Sequence, residues 1–137
     1  MNESKLAKKM KLPATGRAAV IQAPPGYLEA LKPLSEALRL TQELSDQLDW
    51  IQIFVRNQAE LEALAPAAVQ ALGPKGILWI SFPKGTSKIQ TDLTRDQGWE
   101  SLEKAGLKWI NLISVDETWS AFSLRHFRAG EERSSFR

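Results

Sequence analysis

Three stretches of the chain are almost continuously apolar. Arg17–Ala23 (RAAVIQA), Asp49–Val55 (DWIQIFV) and Ile77–Phe82 (ILWISF) are each the length of a strand. None alternates cleanly between apolar and polar, which is the pattern of strands covered on both faces of a parallel sheet. Between them the pattern changes. Tyr27–Leu31 predicts a short helix after the Pro24-Pro25-Gly26 break, and Pro33 stops it. Ala37–Thr41 (ALRLT) alternates, which suits a more exposed strand. Asn57 offers an N-cap with Glu60 three residues on, and Leu61, Leu64, Ala65, Ala68 and Leu72 follow at helical spacing. Pro66 falls inside that pattern and predicts a helix split in two, ended by Gly73-Pro74.

After the third apolar stretch comes Pro83–Lys88 (PKGTSK), then a predicted helix capped at Thr91 or Thr94. Thr94 with Gln97 matches the Thr-x-x-Gln capping box, and Gly106 fits the end of that helix. Trp109–Val115 and Thr118–Phe127 are separated only by Asp116-Glu117 and predict an antiparallel hairpin. Residues 1–16 read as a short helix or a basic arm, with Lys5, Lys8, Lys9 and Lys11 around Leu6 and Met10, and residues 128–137 as a polar tail. The order of elements predicts one α/β domain over residues 17–127. It is Rossmann-like and three-layered, with a mostly parallel sheet and a C-terminal antiparallel hairpin.

Composition narrows the chemistry. The chain has 137 residues, a 43% hydrophobic share and no cysteine, so disulfides, thiolate nucleophiles and Cys-ligated zinc are excluded. No apolar run approaches the roughly 18 residues of a membrane helix. The lysine-rich start has no apolar stretch behind it, so a cytoplasmic location without membrane association is expected. A single histidine, His126, excludes sites built on several imidazoles. It also has no G-x-S-x-G partner. Net charge is +2, a mild excess of base.

The candidate site is the handover from the third strand to its helix. Lys84 and Lys88 bring two positive charges, Thr86 and Ser87 bring hydroxyl donors, and Gly85 allows close backbone approach. A helix start placed just behind them would add unpaired N–H groups and a partial positive charge. Arg95 would grip a carboxylate or phosphate. Asp92 and Asp96 flank the same helix start. Asp116 and Trp119 sit on the hairpin turn, where the Trp119 ring could stack on a planar ligand if that turn shares the edge. The loop is not a Walker A motif. No metal site is expected. At the first strand the turn is Ala23-Pro24-Pro25-Gly26, with one glycine and two residues lacking an N–H, where a dinucleotide fold carries G-x-G-x-x-G. Glu43 stands about where such folds keep a ribose-binding carboxylate.

Two resemblances rest on quoted residues. The segment Leu72–Trp79 (LGPKGILW) and the closing hairpin resemble a shortened class I methyltransferase fold. WISFPKGTSKIQTDLTRDQGW and DETWSAFSLR resemble a bacterial family of short α/β proteins that is a domain of unknown function, over roughly residues 17–127. The resemblance implies a fold and no activity. Because the first-strand turn departs from the methyltransferase pattern, no cofactor is expected and S-adenosylmethionine is set aside. The leading expectation is a non-catalytic binding or regulatory domain that recognises a small anionic ligand or an acidic protein surface at residues 83–96. One alternative is a small transferase-type enzyme on the same sheet edge, with Asp92, Asp96 or Asp116 as acid–base groups. Another is a nucleic-acid accessory protein using the basic arm.

Overall fold

The three apolar stretches become neighbouring strands. The computed structural model describes residues 5–89, 91–94 and 97–127. Strands β1 (Gly16–Ile21), β3 (Leu48–Phe54) and β4 (Leu72–Pro83) lie side by side and parallel, and β2 (Leu38–Thr41) extends the sheet beyond β1. The hairpin strands β5 (Lys108–Ser114) and β6 (Trp119–Arg125) pair antiparallel, and β6 runs antiparallel beside β4. The result is a six-stranded mixed sheet in the order β2-β1-β3-β4-β6-β5. The later strand takes the inner place because it can be covered on both faces. Ala121, Phe122, Ser123 and Leu124 are all buried, whereas β5 keeps exposed or half-buried positions along its length.

Each face of the sheet carries its own core. On one face Ile51, Ile53, Ile80 and Phe122 pack with Leu61, Ala65 and Ala68 of α3 (Gln58–Ala71) and Leu102 of α4 (Glu100–Glu103). On the other, Trp50, Trp79 and Ala121 pack with Ala7 of α1 (Lys5–Lys9) and Tyr27 of α2 (Tyr27–Ala30). Fully burying one such large side chain contributes about 1.5–3 kcal/mol.

The N-terminal segment is bound into the second core. Met10 is fully buried, and its carbonyl accepts hydrogen bonds from both Trp50 Nε1 and Trp79 Nε1 at 2.8 Å. The four lysines around it, Lys5, Lys8, Lys9 and Lys11, stay exposed.

Helix α3 starts as its sequence predicts. Asn57 Oδ1 accepts from Glu60 N at 2.9 Å, and the Glu60 carboxylate accepts from Arg56 N at 2.8 Å. Pro66 does not split it; the helix is continuous over its 14 residues. Pro66 and Glu62 are both exposed. The Glu62 carbonyl that loses its partner can therefore turn to water. Strand β4 begins directly after α3 and is longer than its apolar run. Its first residues pass so close to β3 that a Cβ on Gly76 would lie 2.7 Å from the Leu48 carbonyl oxygen. Among the described residues no helix is long and apolar enough to cross a membrane.

Candidate functional site

Strands β2, β1, β3 and β4 end along one edge of the sheet, and β6 begins there, with Trp119 paired to Pro83. The first feature of that edge is a cavity of about 870 Å³ beyond β4. Lys84, Gly85, Thr86, Ser87 and Lys88 all line it. Phe82, Leu93, Leu112 and Ser120 also line it. The loop residues are fixed at several points. Lys84 N donates to Thr118 O at 2.8 Å, Ser87 N closes a turn onto Lys84 O at 3.0 Å, and Lys84 Nζ donates to Ser114 Oγ at 2.5 Å. Among the described residues no carboxylate pairs with Lys84 or Lys88.

Among the described residues no helix starts directly behind this loop. Thr94 and Gln97 do exchange bonds, with Gln97 N on Thr94 Oγ1 at 3.1 Å and Thr94 N on Gln97 O at 3.1 Å. Gly98 follows with φ of 101°, a left-handed conformation that interrupts any helix, and α4 is only four residues starting at Glu100. The cavity therefore draws its positive potential from lysines and not from a helix end. Gly85 has open space around a built Cβ, so its lack of a side chain is not required by packing.

The secondary candidates separate. Asp92 Oδ1 accepts from Gln58 N at 2.7 Å, which ties the loop to the first turn of α3. Its carboxylate complements the dipole of that helix, not of the one expected to follow it. Asp116 Oδ1 accepts from Thr118 N at 2.8 Å and Trp119 N at 2.9 Å, so it builds the hairpin turn. Trp119 is 7% exposed and meets Phe54 edge-on at 5.1 Å, which makes it a core residue and not a platform for a ligand. Arg95 and Asp96 lie outside the described residues. His126 sits at the opposite end of the sheet, with Nε2 3.3 Å from Leu72 O, far from any role at this edge. Among the described residues no three His, Asp or Glu side chains gather as metal ligands would.

The second feature of the edge was not picked out as a site by sequence reasoning. From β1 the chain moves outward to β2, then returns to the other side of β1 as β3. The crevice between the ends of β1 and β3 is a topological switch point, the usual ligand position in open α/β sheets. Gln22 spans it: Gln22 Nε2 donates to Phe54 O at 2.9 Å from a backbone held at φ 60°. That left-handed conformation is uncommon outside glycine. On the far side Arg56 and Glu60 form a forked pair at 2.7 Å, and the hydrogen bonds from Arg56 hold the Glu60 carboxyl below its ordinary range. On the near side Gly26 adopts φ 82°, and a Cβ built there would meet nothing within 4 Å. Glu43 is exposed just past the end of β2. Below the crevice lies a buried polar chain, Tyr27 OH to Gln52 Oε1 at 2.5 Å and Gln52 Nε2 to Ser81 Oγ at 2.7 Å. Burial pushes the Tyr27 phenol well above its ordinary value, partly offset by the bond to Gln52 and reinforced by Asp116.

The parallel strands with an antiparallel strand inserted before the last one give this chain a class I methyltransferase-like α/β fold. It superposes on the DhpI–SAH complex with a TM-score of 0.61 at 12% identity, covering 90% of this chain and 82% of that one. A TehB-like SAM-dependent methyltransferase from Corynebacterium glutamicum matches with a TM-score of 0.54 at 14% identity over 90% and 86%. The [4+2]-cyclase SpnF matches with a TM-score of 0.58 at 11% identity over 88% and 78%. No protein-family model and no curated protein matches the sequence. The expectation of no cofactor is corrected by these findings: DhpI was solved with SAH and, separately, with SAM and HEP. The error lay in equating the glycine-rich turn with the binding position. In this architecture the position is set by the carboxyl edge and the switch point, and the chain keeps both.

Proposed function

We propose that this chain is a small transferase-type enzyme of the methyltransferase class, on a Rossmann-like scaffold with helices layered on both sides of the sheet. It holds S-adenosylmethionine over the crevice between β1 and β3 and an anionic acceptor in the cavity beyond β4. The observation that carries the reading is the position of both features on one carboxyl edge of a methyltransferase-ordered sheet. The neighbours support a transferase better than the non-catalytic domain expected from sequence.

The residues present fit the cofactor in kind. Gly26 leaves the turn after β1 open to close approach, Glu43 offers a carboxylate for ribose hydroxyls, and Gln22 brings an amide to the crevice. When bound, S-adenosylmethionine supplies an electrophilic methyl group on a sulfonium. Lys84 and Lys88 then hold the acceptor, with Thr86 and Ser87 as hydrogen-bond donors. An acceptor bound as an anion already carries its nucleophilic lone pair. These lysines therefore act by orientation and not by moving a proton. Asp92 and Asp116 are engaged with backbone N–H groups and are assigned to loop and turn structure instead of acid–base work. The concave setting of the lysines favours a small molecule over a flat acidic protein surface.

The test is thermal unfolding with SAH, followed by methyl transfer from labelled S-adenosylmethionine to a panel of carboxylates and phosphate esters. SAH at 100 times its Kd should stabilise the fold by about 2.7 kcal/mol. Glu43→Ala should weaken SAH about tenfold, and Lys84→Met should leave SAH binding intact while lowering transfer. SAH binding without any transfer would restore the non-catalytic reading, and no stabilisation by SAH or S-adenosylmethionine would overturn the transferase proposal.

A further inference from the structure

We infer that the cavity beyond β4 takes an amphipathic anion, a carboxylate or phosphate ester carried on an apolar body, and not a compact polar anion. The inference rests on reading this cavity as the acceptor site and gives that acceptor a chemical class.

The cavity is two-sided. Its polar wall is the loop, where Lys84 Nζ is held against Ser114 Oγ at the tip of β5. An ammonium has three donors, and that bond uses one. Lys88 is exposed on the same wall. The head group of a ligand therefore belongs beside Lys84, which Ser114 holds in place from the end of β5. The apolar part of the lining is Leu112, which is half-buried and packs with Phe82 and Leu93 on one face of the sheet, while Ile89 lines the cavity from the loop and packs toward the core on the other face.

The two walls are in register. Leu112 and Ser114 are two residues apart on β5 and pair with Phe122 and Ser120 of β6, so they point to the same face, about 7 Å apart along the strand. A ligand whose anionic end sits at Lys84, which Ser114 anchors, would lay its next few atoms on Leu112. From there it would run toward Phe82, whose ring stacks on Phe122 at 5.6 Å. Inorganic phosphate would satisfy the head position and cover none of this hydrocarbon. Covering roughly 60 Å² of it is worth about a factor of ten in affinity.

The experiment is isothermal titration of the full chain with acetate, octanoate, octyl phosphate and octan-1-ol. S-adenosylmethionine is left out, so that absence of methyl transfer cannot be mistaken for absence of binding. Octanoate or octyl phosphate should bind at least tenfold more tightly than both acetate and octanol. Lys84→Met should bring octanoate down to the level of octanol. Leu112→Ser should bring octanoate down to the level of acetate. Far-ultraviolet circular dichroism confirms that each variant is folded, and Leu112→Ala serves in place of Leu112→Ser should the latter unfold. Octanol binding as tightly as both octyl anions, or acetate as tightly as octanoate, would overturn the inference. Octyl anions that bind as expected here, with no methyl transfer to any acceptor of the labelled panel, would leave the inference standing and remove the transferase reading.

Discussion

Removing the Asp92 carboxylate should loosen the cavity from a distance. Asp92 Oδ1 accepts the N–H of Gln58, the first residue of α3, at 2.7 Å. Two side-chain bonds satisfy the first turn of that helix, this one and Asn57 Oδ1 from Glu60 N, while the Glu60 carboxylate accepts from Arg56 N just ahead of it. Losing a side-chain acceptor at a helix start costs about 1 kcal/mol. The carboxylate charge at the positive end of a 14-residue helix adds about 0.3–1 kcal/mol, toward the lower figure because Asp92 is exposed. Asp92→Ala should therefore lose about 1–1.5 kcal/mol. Asp92→Asn keeps an oxygen acceptor and should lose about 0.5 kcal/mol, the charge contribution alone. Urea unfolding at neutral pH reads both values from the midpoint, with the slope unchanged. The same contact anchors the far end of the cavity loop, so Asp92→Ala should also weaken octanoate severalfold. A midpoint for Asp92→Ala equal to that of the parent would refute the reasoning, because the loop would then owe nothing to α3.

Trp50→Phe and Trp79→Phe should each cost about 1–2 kcal/mol in urea unfolding. The double variant should cost more than their sum, because the Met10 carbonyl is then buried with no donor. Gly76→Ala should destabilise by about 1–3 kcal/mol through collision with the Leu48 carbonyl, whereas Gly85→Ala, with nothing within 4 Å, should leave the melting temperature unchanged. Glu60 is held below its ordinary pKa by Arg56, so its pair stabilises the fold above the unfolded carboxyl value, near 4.3, and that contribution fades as pH falls through the lower folded value. The stability difference between the parent and Glu60→Gln should be constant from pH 7 to about pH 5 and shrink by pH 3. A difference that does not change with pH would show that the charge is not involved.

Local pattern predicted the elements and missed what depends on distant partners. RAAVIQA, DWIQIFV and ILWISF announce buried parallel strands because their burial needs no knowledge of their neighbours. The Asn57–Glu60 cap and the Asp116-Glu117 hairpin are likewise local chemistry. The insertion of β6 between β4 and β5 is a choice between two apolar strands made by the rest of the sheet, and only the greater burial of AFSL hints at it. Pro66 misled because a helix can run on through a proline where the freed carbonyl, here that of exposed Glu62, can tilt away from the ring and turn to water. Thr94 and Gln97 misled because a capping-box bond does not by itself require a helix, and Gly98 follows in a left-handed conformation that interrupts one. The lysine cavity was legible as a run of residues after β4. The crevice between β1 and β3 was not, because a switch point exists only once strand order is known. Its one trace in the sequence was Glu43, placed by analogy.

The central claim is that the carboxyl edge of the sheet, centred on the β1–β3 crevice, is where this chain binds S-adenosyl compounds. Backbone amide chemical shifts recorded during titration of the full chain with SAH test it most directly. The account predicts saturable shifts at Gln22, Gly26, Glu43 and Asn57, with Leu72 and His126 at the far end of the sheet unmoved. Shifts confined to Leu72 and His126, or no saturable shift anywhere, would contradict it.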